Sequence, residues 1–326
     1  MASAPAQPTV TVAIAAFNSA EFIASSIASA LRQTLTDIEV IVVDDCSSDD
    51  TVAIARAIAE QDARVRIERL SINQGPAAAR YTAQEMARGQ WFAVLDSDDL
   101  YAPDRLQRLL AIAEARGADI VADNMVVFAG DPGDSTHHHL SQPFVGRWIE
   151  PDDYFAQTRM FGGGLDYGYL KPMLRLDRLR AAGLRYDETL RIGEDDDLIA
   201  RMLLEGMRYW LDPSPTYCYR RHAGSISFRL SSTNARALAR SAAQLVAAHS
   251  QARFAPALRR RHRAFIRALA FVEFIDDLKR RQWRTALVRA LTNPAMLPLL
   301  RMPLRGRLDR VLASLSSGRS STPMLR

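Results

Sequence analysis

Four times in its first 95 residues the chain runs an apolar, strand-like stretch into a helical pattern, and that alternation restricts it to an α/β layer built on a parallel sheet. Val10 to Ala15 is apolar on both faces, as a buried parallel strand requires. Glu21 to Arg32 follows at helical spacing, then a second strand at Ile38 to Val43. Ser48 or Asp49 is placed to cap a helix over Thr51 to Glu60. Val65 to Glu68 reads as a third strand, and Pro76 opens a helix over Ala77 to Ala87. Gly89 ends that helix before a fourth strand, Trp91 to Leu95. A helix at Pro103 to Arg116 and a strand at Ala118 to Phe128 extend the pattern. In such sheets ligands bind beyond the carboxyl ends of the strands. Here those ends carry Ala16-Phe17-Asn18, Asp44-Asp45 and Asp96-Ser97-Asp98.

Two acidic clusters stand out. If the chain stays extended through Asp96-Ser97-Asp98, side-chain alternation puts Asp96 and Asp98 on one side, where they could share one hard divalent cation. The competing reading is a solvated turn that caps the next helix. The second cluster, Glu194-Asp195-Asp196-Asp197, begins a helical run. The helix dipole accounts for one or two acids in a first turn, but four adjacent carboxylates repel one another and point to a metal or a proton transfer. After Pro213-Ser214-Pro215 an expected edge strand ends in Arg220-Arg221-His222, a candidate diphosphate clamp. The segment Gly162 to Tyr169 suits a sugar-facing loop or a plain flexible connection. Lys171 and Arg175 then meet either phosphate or solvent. His137-His138-His139, set in a turn-rich stretch, is expected to be solvated rather than to gather a metal.

At 326 residues the chain can bury a large core and carry an appendage. The first eight residues read as a flexible leader without a secretory pattern, and no stretch is long enough to cross a bilayer, so a cytoplasmic protein is expected. Cys46 and Cys218 are expected to be reduced thiols. Residues 228–326 hold 20 Lys+Arg against 4 Asp+Glu, a net +16, while residues 1–227 hold 22 against 33, a net −11. This asymmetry predicts a body at 9–227, with halves 9–100 and 101–227, and a basic helical region at 228–326. Its apolar and cationic faces suit packing on the body with a solvated side, or peripheral contact with anionic lipid at the inner face of a membrane. Nucleic acid is not expected, since no binding motif accompanies the charge.

Six motifs in order resemble the family-2 glycosyltransferases of GT-A fold, over roughly Thr9 to Ser227. They are Val12 to Asn18 (Phe17 standing where the family usually has Tyr), Val42 to Asp49, Asn73-Gln74-Gly75 with Ala79-Arg80, Leu95 to Asp99, Gly193-Glu194-Asp195, and Tyr219 to Ser225. Gly162 to Arg175 is similar to the bacterial exopolysaccharide glucosyltransferases of succinoglycan type. The resemblance implies inverting transfer from a UDP-sugar, UDP-glucose being the expected donor, to a saccharide acceptor, expected to be lipid-linked. It implies Ala15, Phe17 and Asp44 or Asp45 at the uridine, and Arg80, Asp96 and Ser97 near the ribose and diphosphate. It further implies Asp98 as the main ligand of Mg²⁺ or Mn²⁺, with Asp96 and His222 assisting. Asp195 would be the base, with Glu194 and Asp196 as alternates, and Gly163, Asp166, Tyr167, Lys171, Arg220 and Arg221 would face the acceptor or phosphates.

The chemistry read from below agrees. A cation held by hard oxygens stabilises charge on a departing diphosphate, and inversion needs a carboxylate to take the acceptor's proton. The logic is that of inverting glycoside hydrolysis with an alcohol in place of water. Two rivals are a nucleotidyltransferase, which would carry a Gly/Arg/Lys-rich loop after the first strand where this chain has Ala15 to Ser19, and a binding scaffold without catalysis.

Overall fold

The computed structural model describes residues 7–130, 137–138, 140, 144–158, 161, 167–222 and 230–301. The expected alternation is present: β1 (Val10–Ala16), α1 (Ile23–Leu31), β2 (Ile38–Asp44), α2 (Thr51–Ala59), β3 (Val65–Arg69), α3 (Pro76–Met86) and β4 (Trp91–Asp96). Then come β5 (Leu100–Tyr101), α4 (Arg105–Arg116), β6 (Ile120–Phe128), β7 (His137–His138), β8 (Arg147–Ile149), α5 (Pro151–Ala156), β9 (Met173–Arg175) and α6 (Leu176–Ala181). The rest comprises α7 (Glu194–Leu204), β10 (Tyr209–Arg220), α8 (Ser232–Ala248), α9 (Ala255–Lys279) and α10 (Trp283–Thr292).

One sheet of ten strands runs in the order β3-β2-β1-β4-β9-β6-β10-β5, with β7 on β6 and β8 on β10. β1, β2, β3 and β4 are mutually parallel, as the apolar runs predict, and β2 is buried at every position. The second half is mixed. β9 pairs antiparallel with both β4 and β6, which makes those two parallel to each other, and β10 runs parallel to β6. The carboxyl ends of β1, β2, β4, β6 and β10 therefore reach the same sheet edge. Register fixes their level: Ala16 lies opposite Asp44, Ala15 opposite Asp96, and Phe128 opposite Arg220.

The expected edge strand at 216–225 needs correction. β10 starts at Tyr209, runs through Pro213 and Pro215, and is paired on both sides. The register against β6 shifts between Leu211 and Pro215 and again between Pro215 and Tyr217, so the prolines sit at irregularities where a missing N–H interrupts no ladder bond. The turn-rich stretch at 130–146 likewise contributes a short strand, with His137 and His138 opposite Val127 and Val126. His139 lies outside the described residues. Both cysteines are free thiols, as expected.

Below the functional edge, α4 is locked to the sheet by Arg105, fully buried with its partner Asp123. The guanidinium donates through Nε to Oδ2 at 3.0 Å and through Nη2 to Oδ1 at 2.8 Å, and lies 4.3 Å over the Tyr101 ring. Nη2 also reaches the Lys171 carbonyl at 2.5 Å, so the pair positions the segment that carries Lys171. Arg105→Leu would leave Asp123 charged and unpaired in the core. Urea unfolding is expected to show a loss of about 3–5 kcal/mol for this variant.

Candidate active site

Asp96, Arg80 and Lys171 at the sheet edge converge on the first turn of α7. Gly193 precedes it with φ +70°, a left-handed conformation that favours glycine. The next four residues are all carboxylates, and successive side chains step by about 100° around a helix, so all four cannot share one target. Glu194 and Asp195 share Arg80, and Asp195, Asp196 and Asp197 each add partners of their own. Glu194 pairs with Arg80. Asp195 accepts from Lys171 Nζ at 2.8 Å and from the Tyr186 hydroxyl at 3.2 Å, with Arg80 Nη1 at 3.2 Å. Asp196 accepts from Arg261 Nη2 at 2.5 Å and from the Tyr154 hydroxyl at 2.7 Å. Asp197 accepts from Arg201 Nε at 2.8 Å and from the Ser241 hydroxyl.

Glu194 and Asp195 face the end of β4. Arg80 on α3 joins them to Asp96 through Nη2 at 2.5 Å, and Lys171 Nζ sits 3.0 Å from Asp96 Oδ2, so two cations hold three carboxylates from two elements, β4 and α7. Burial works against charge on all of them. For Asp195 the opposing pull of Arg80 and Lys171 is stronger and holds its carboxyl down at about 2. Asp96 is lowered by the same balance, burial raising it and Lys171 and Arg80 outweighing that. Burial also disfavours the Lys171 ammonium, yet Asp195 and Asp96 keep it above the usual lysine range.

Asp96 and Asp98, expected to share one cation, take different partners in this arrangement. β4 stops at Asp96, and the Asp99 N–H bonds back to the Asp96 carbonyl at 3.1 Å. The chain turns instead of staying extended. Asp98 Oδ2 meets His222 Nε2 at 2.8 Å, and both side chains are about a quarter exposed. Among the described residues no group of three or more His, Cys, Asp and Glu is gathered for a metal ion. The Asp98–His222 pair itself offers oxygen and imidazole donors without a thiolate, which fits Mg²⁺ or Mn²⁺.

The loop bearing Asp98 is held from both sides. Ser26 Oγ donates to the Ser97 and Asp99 carbonyls, and Ser97 Oγ bonds Ser19 Oγ at 2.7 Å. Arg220 donates Nε to the Asp98 carbonyl at 2.8 Å and its backbone N–H to Asp99 at 2.7 Å, while its guanidinium lies over Phe22 and Phe128. Arg220 thus anchors the Asp98 turn. Arg221 is exposed beside it.

At the β1 and β2 ends Asp44 and Asp45 take different partners. Asp45 accepts the Gln74 and Gly75 N–H groups, each at 2.7 Å, and so closes the loop before α3. Asp44 accepts Ser47 N–H through Oδ2 and leaves Oδ1 buried with no partner among the described residues. Phe17 is 44% exposed at the lip, next to partly buried Ala15. The cap expected of Ser48 or Asp49 is corrected: Asp50 is the residue that precedes α2, its side chain makes no capping bond, and Asp49 accepts the N–H of Thr51, the first helical residue, at 3.1 Å.

Tyr167, expected on the acceptor side, is buried: its ring lies 6.4 Å from Tyr154 and its hydroxyl accepts from Arg147. Gly168 beside it packs so tightly on α7 that a Cβ would come within 2.6 Å of Asp196 Cγ. Gly163 and Asp166 lie outside the described residues. Arg175 pairs at the surface with Asp177 rather than reaching the edge.

Tyr186, Ser241 and Arg261 carry this network without standing out as site residues in the sequence. Arg261 belongs to an arginine run, yet Leu258, Phe265 and Ala268, at −3, +4 and +7, mark it as lying on the buried face of α9. It is 3% exposed and also donates to Thr158 Oγ1 at 2.7 Å. The boundary expected at 227–228 is thus crossed by Arg261 and Ser241, which hold two of the four α7 acids.

The model of the family described as "Glycosyl transferase family 2" matches residues 11–175. Succinoglycan biosynthesis protein ExoO of Rhizobium meliloti is 39% identical over 94% of this chain and 88% of its own length. The chain belongs to glycosyl transferase family 2. ExoU of the same organism is 34% identical, over 91% and 87% of the two chains. The fold of this glycosyltransferase is GT-A. It superposes on Staphylococcus aureus TarS 1–349 with a TM-score of 0.60 at 19% identity, covering 86% of this chain and 79% of that one. Pyrobaculum calidifontis mannosyltransferase PcManGT, solved with GDP-Man and Mn²⁺, gives 0.55 at 18%, covering 93% and 81%.

Two variants test the division of this glycosyltransferase's acidic turn. Arg261→Leu strands Asp196, and a stability loss of about 3–5 kcal/mol is expected in thermal or urea unfolding. Gly168→Ala is expected to lower stability by about 1–3 kcal/mol as the crowded Asp196 is pushed aside.

Proposed function

We propose that this enzyme transfers a sugar, with inversion, from a UDP-sugar to a saccharide on a lipid carrier, during synthesis of an extracellular polysaccharide at the inner face of the cytoplasmic membrane. The observation that carries the reading is the pair of cation-bridged carboxylate sets at one sheet edge: a donor-side acid, Asp96, and α7's Glu194 and Asp195, joined by Arg80 and Lys171. The extent of the match to ExoO and ExoU, both named succinoglycan biosynthesis proteins, supports the polysaccharide setting. UDP-glucose is the first candidate donor on the motif resemblance over Gly162 to Arg175. TarS has been solved with UDP-GlcNAc, which supports a uridine nucleotide in this fold.

In this reading Asp44 Oδ1 is the acceptor for the uracil imino N–H, since a buried oxygen without a partner gains most from one. Phe17 covers the base beside Ala15. Arg80, Asp96 and Ser97 lie along the ribose and diphosphate. Asp98 with His222 would hold the divalent cation, with Asp96 assisting. When bound, that cation stabilises the negative charge of the leaving diphosphate.

Asp195 is the base. Its low pKa means that it stays ionised and takes the proton late, once bonding to the anomeric carbon has made the acceptor hydroxyl strongly acidic. Glu194, tied to Arg80, is the alternate, whereas Asp196 is committed to Arg261 and Tyr154. Lys171 already bridges the two sides of the reaction centre and is positioned to follow charge onto the phosphates as the bond breaks. Arg221, exposed at the rim, faces the incoming acceptor's phosphates.

UDP release from a panel of UDP-sugars, with Mn²⁺ or Mg²⁺ and a lipid-linked acceptor, tests this directly. UDP-glucose is expected to give the highest turnover, EDTA to abolish it, and Asp98→Ala to lower it by about 10²-fold or more. Full turnover in EDTA would remove the metal from the account. Donor binding without turnover on any acceptor would favour a scaffold.

A further inference from the structure

α10 leaves an apolar face exposed among the described residues. On α10, Trp283, Leu287 and Leu291 recur every fourth residue, so they fall within an arc of about 80°. They are 63%, 61% and 72% exposed, and neighbouring Val288 is 60% exposed. The opposite side is what attaches the helix. Ala286 is buried, and Arg289 donates to Glu273 and, at 2.9 Å, to Asp277 on α9.

Charge decides what the open face fits. Lys279, Arg280, Arg281, Arg284 and Arg301 are exposed around it, and residues 279–301 contain no Asp or Glu. The nearest acids are already matched: Glu273 by Arg236 and Arg289, Asp277 by Arg289, and Asp276 by Lys279 at 3.8 Å. Residues 302–326 add 5 Arg against 1 Asp. A second copy of this face, or that terminal segment folded back on it, would bring positive charge against positive charge. A surface of anionic headgroups over hydrocarbon accepts both the tryptophan–leucine stripe and its cationic border.

We propose that the exposed face of α10 docks on an anionic lipid bilayer with the helix lying in the plane of the surface, Trp283, Leu287 and Leu291 entering the headgroup boundary. This rests on the reading above that the enzyme works at a membrane, and it names the surface that makes the contact. The orientation follows from the mode of binding: the helix axis lies along the surface and the arginines at its border contact phosphate groups.

The test is vesicle flotation of the full chain and of a triple variant, Trp283→Gln, Leu287→Gln, Leu291→Gln, whose substitutions are at exposed helical positions. Vesicles of phosphatidylglycerol with phosphatidylcholine are compared with phosphatidylcholine alone, alongside UDP release from the UDP-sugar donor in the presence of a soluble acceptor and the mass of each protein in solution. The wild type is expected to float with the anionic vesicles only, and the variant to lose about tenfold or more of that binding while its UDP release is unchanged. Equal flotation of both proteins would overturn the α10 assignment but leave the membrane reading standing. No flotation of the wild type would overturn both. A wild-type dimer that the variant breaks would assign the face to a second copy instead.

Discussion

Four like charges in one helical turn repel unless each finds its own cation or donor, and the structure around α7 is arranged to meet that requirement. Arg80 comes from α3, Lys171 from the segment before β9, Arg201 from α7 itself, and Arg261 from α9. The geometry of the helix determines which acid meets which element, because consecutive side chains diverge by about 100°. Two acids consequently face the carboxyl edge of the sheet and two face the C-terminal helices. Reaction chemistry and attachment of the basic region are thereby set by a single turn of backbone.

This arrangement couples parts that composition alone separates. The +16 region is not only a charged appendage; it supplies the buried guanidinium and hydroxyl on which Asp196 and Asp197 depend. Its charge is also divided by depth. Arg261 is consumed internally and Arg289 is half-buried on Glu273 and Asp277, while Arg236, paired with Glu273, and Arg280, Arg281, Arg284 and Arg301 remain at the surface. On the donor side, Arg105 and Asp123 beneath the edge hold the Lys171 backbone, so the bridging ammonium is fixed from below as well as by its two carboxylates.

The parallel half of the sheet was readable because strands buried on both faces are apolar along most of their length, and β1, β2 and β4 are, Thr11 and Glu39 being the buried polar exceptions before the terminal aspartates of β2 and β4. β5 and β9 were not readable, since strands of two or three residues display no period. β10 was taken for an edge strand because its prolines suggested one, although they sit at register shifts inside the sheet. The Asp96-Ser97-Asp98 stretch was legible as a site but not in shape: a side-chain alternation argument holds only while the strand continues, and this strand ends at Asp96. The second cluster was legible as too acidic for capping alone. Its partners were not, because Arg80 is 114 residues from Glu194 and Arg261 is 65 from Asp196, and no local pattern records such pairings.

The central claim, that α7's acids divide between reaction and attachment, is tested most directly by kcat per folded molecule for Asp195→Asn beside Asp196→Asn, with unfolding free energies measured on the same samples. The account predicts that Asp195→Asn loses about 10²–10⁴ in kcat with little change in donor affinity. It predicts that Asp196→Asn retains turnover within a few fold while losing about 3 kcal/mol of stability. Loss of turnover in a stably folded Asp196→Asn protein, with Asp195→Asn fully active, would contradict it.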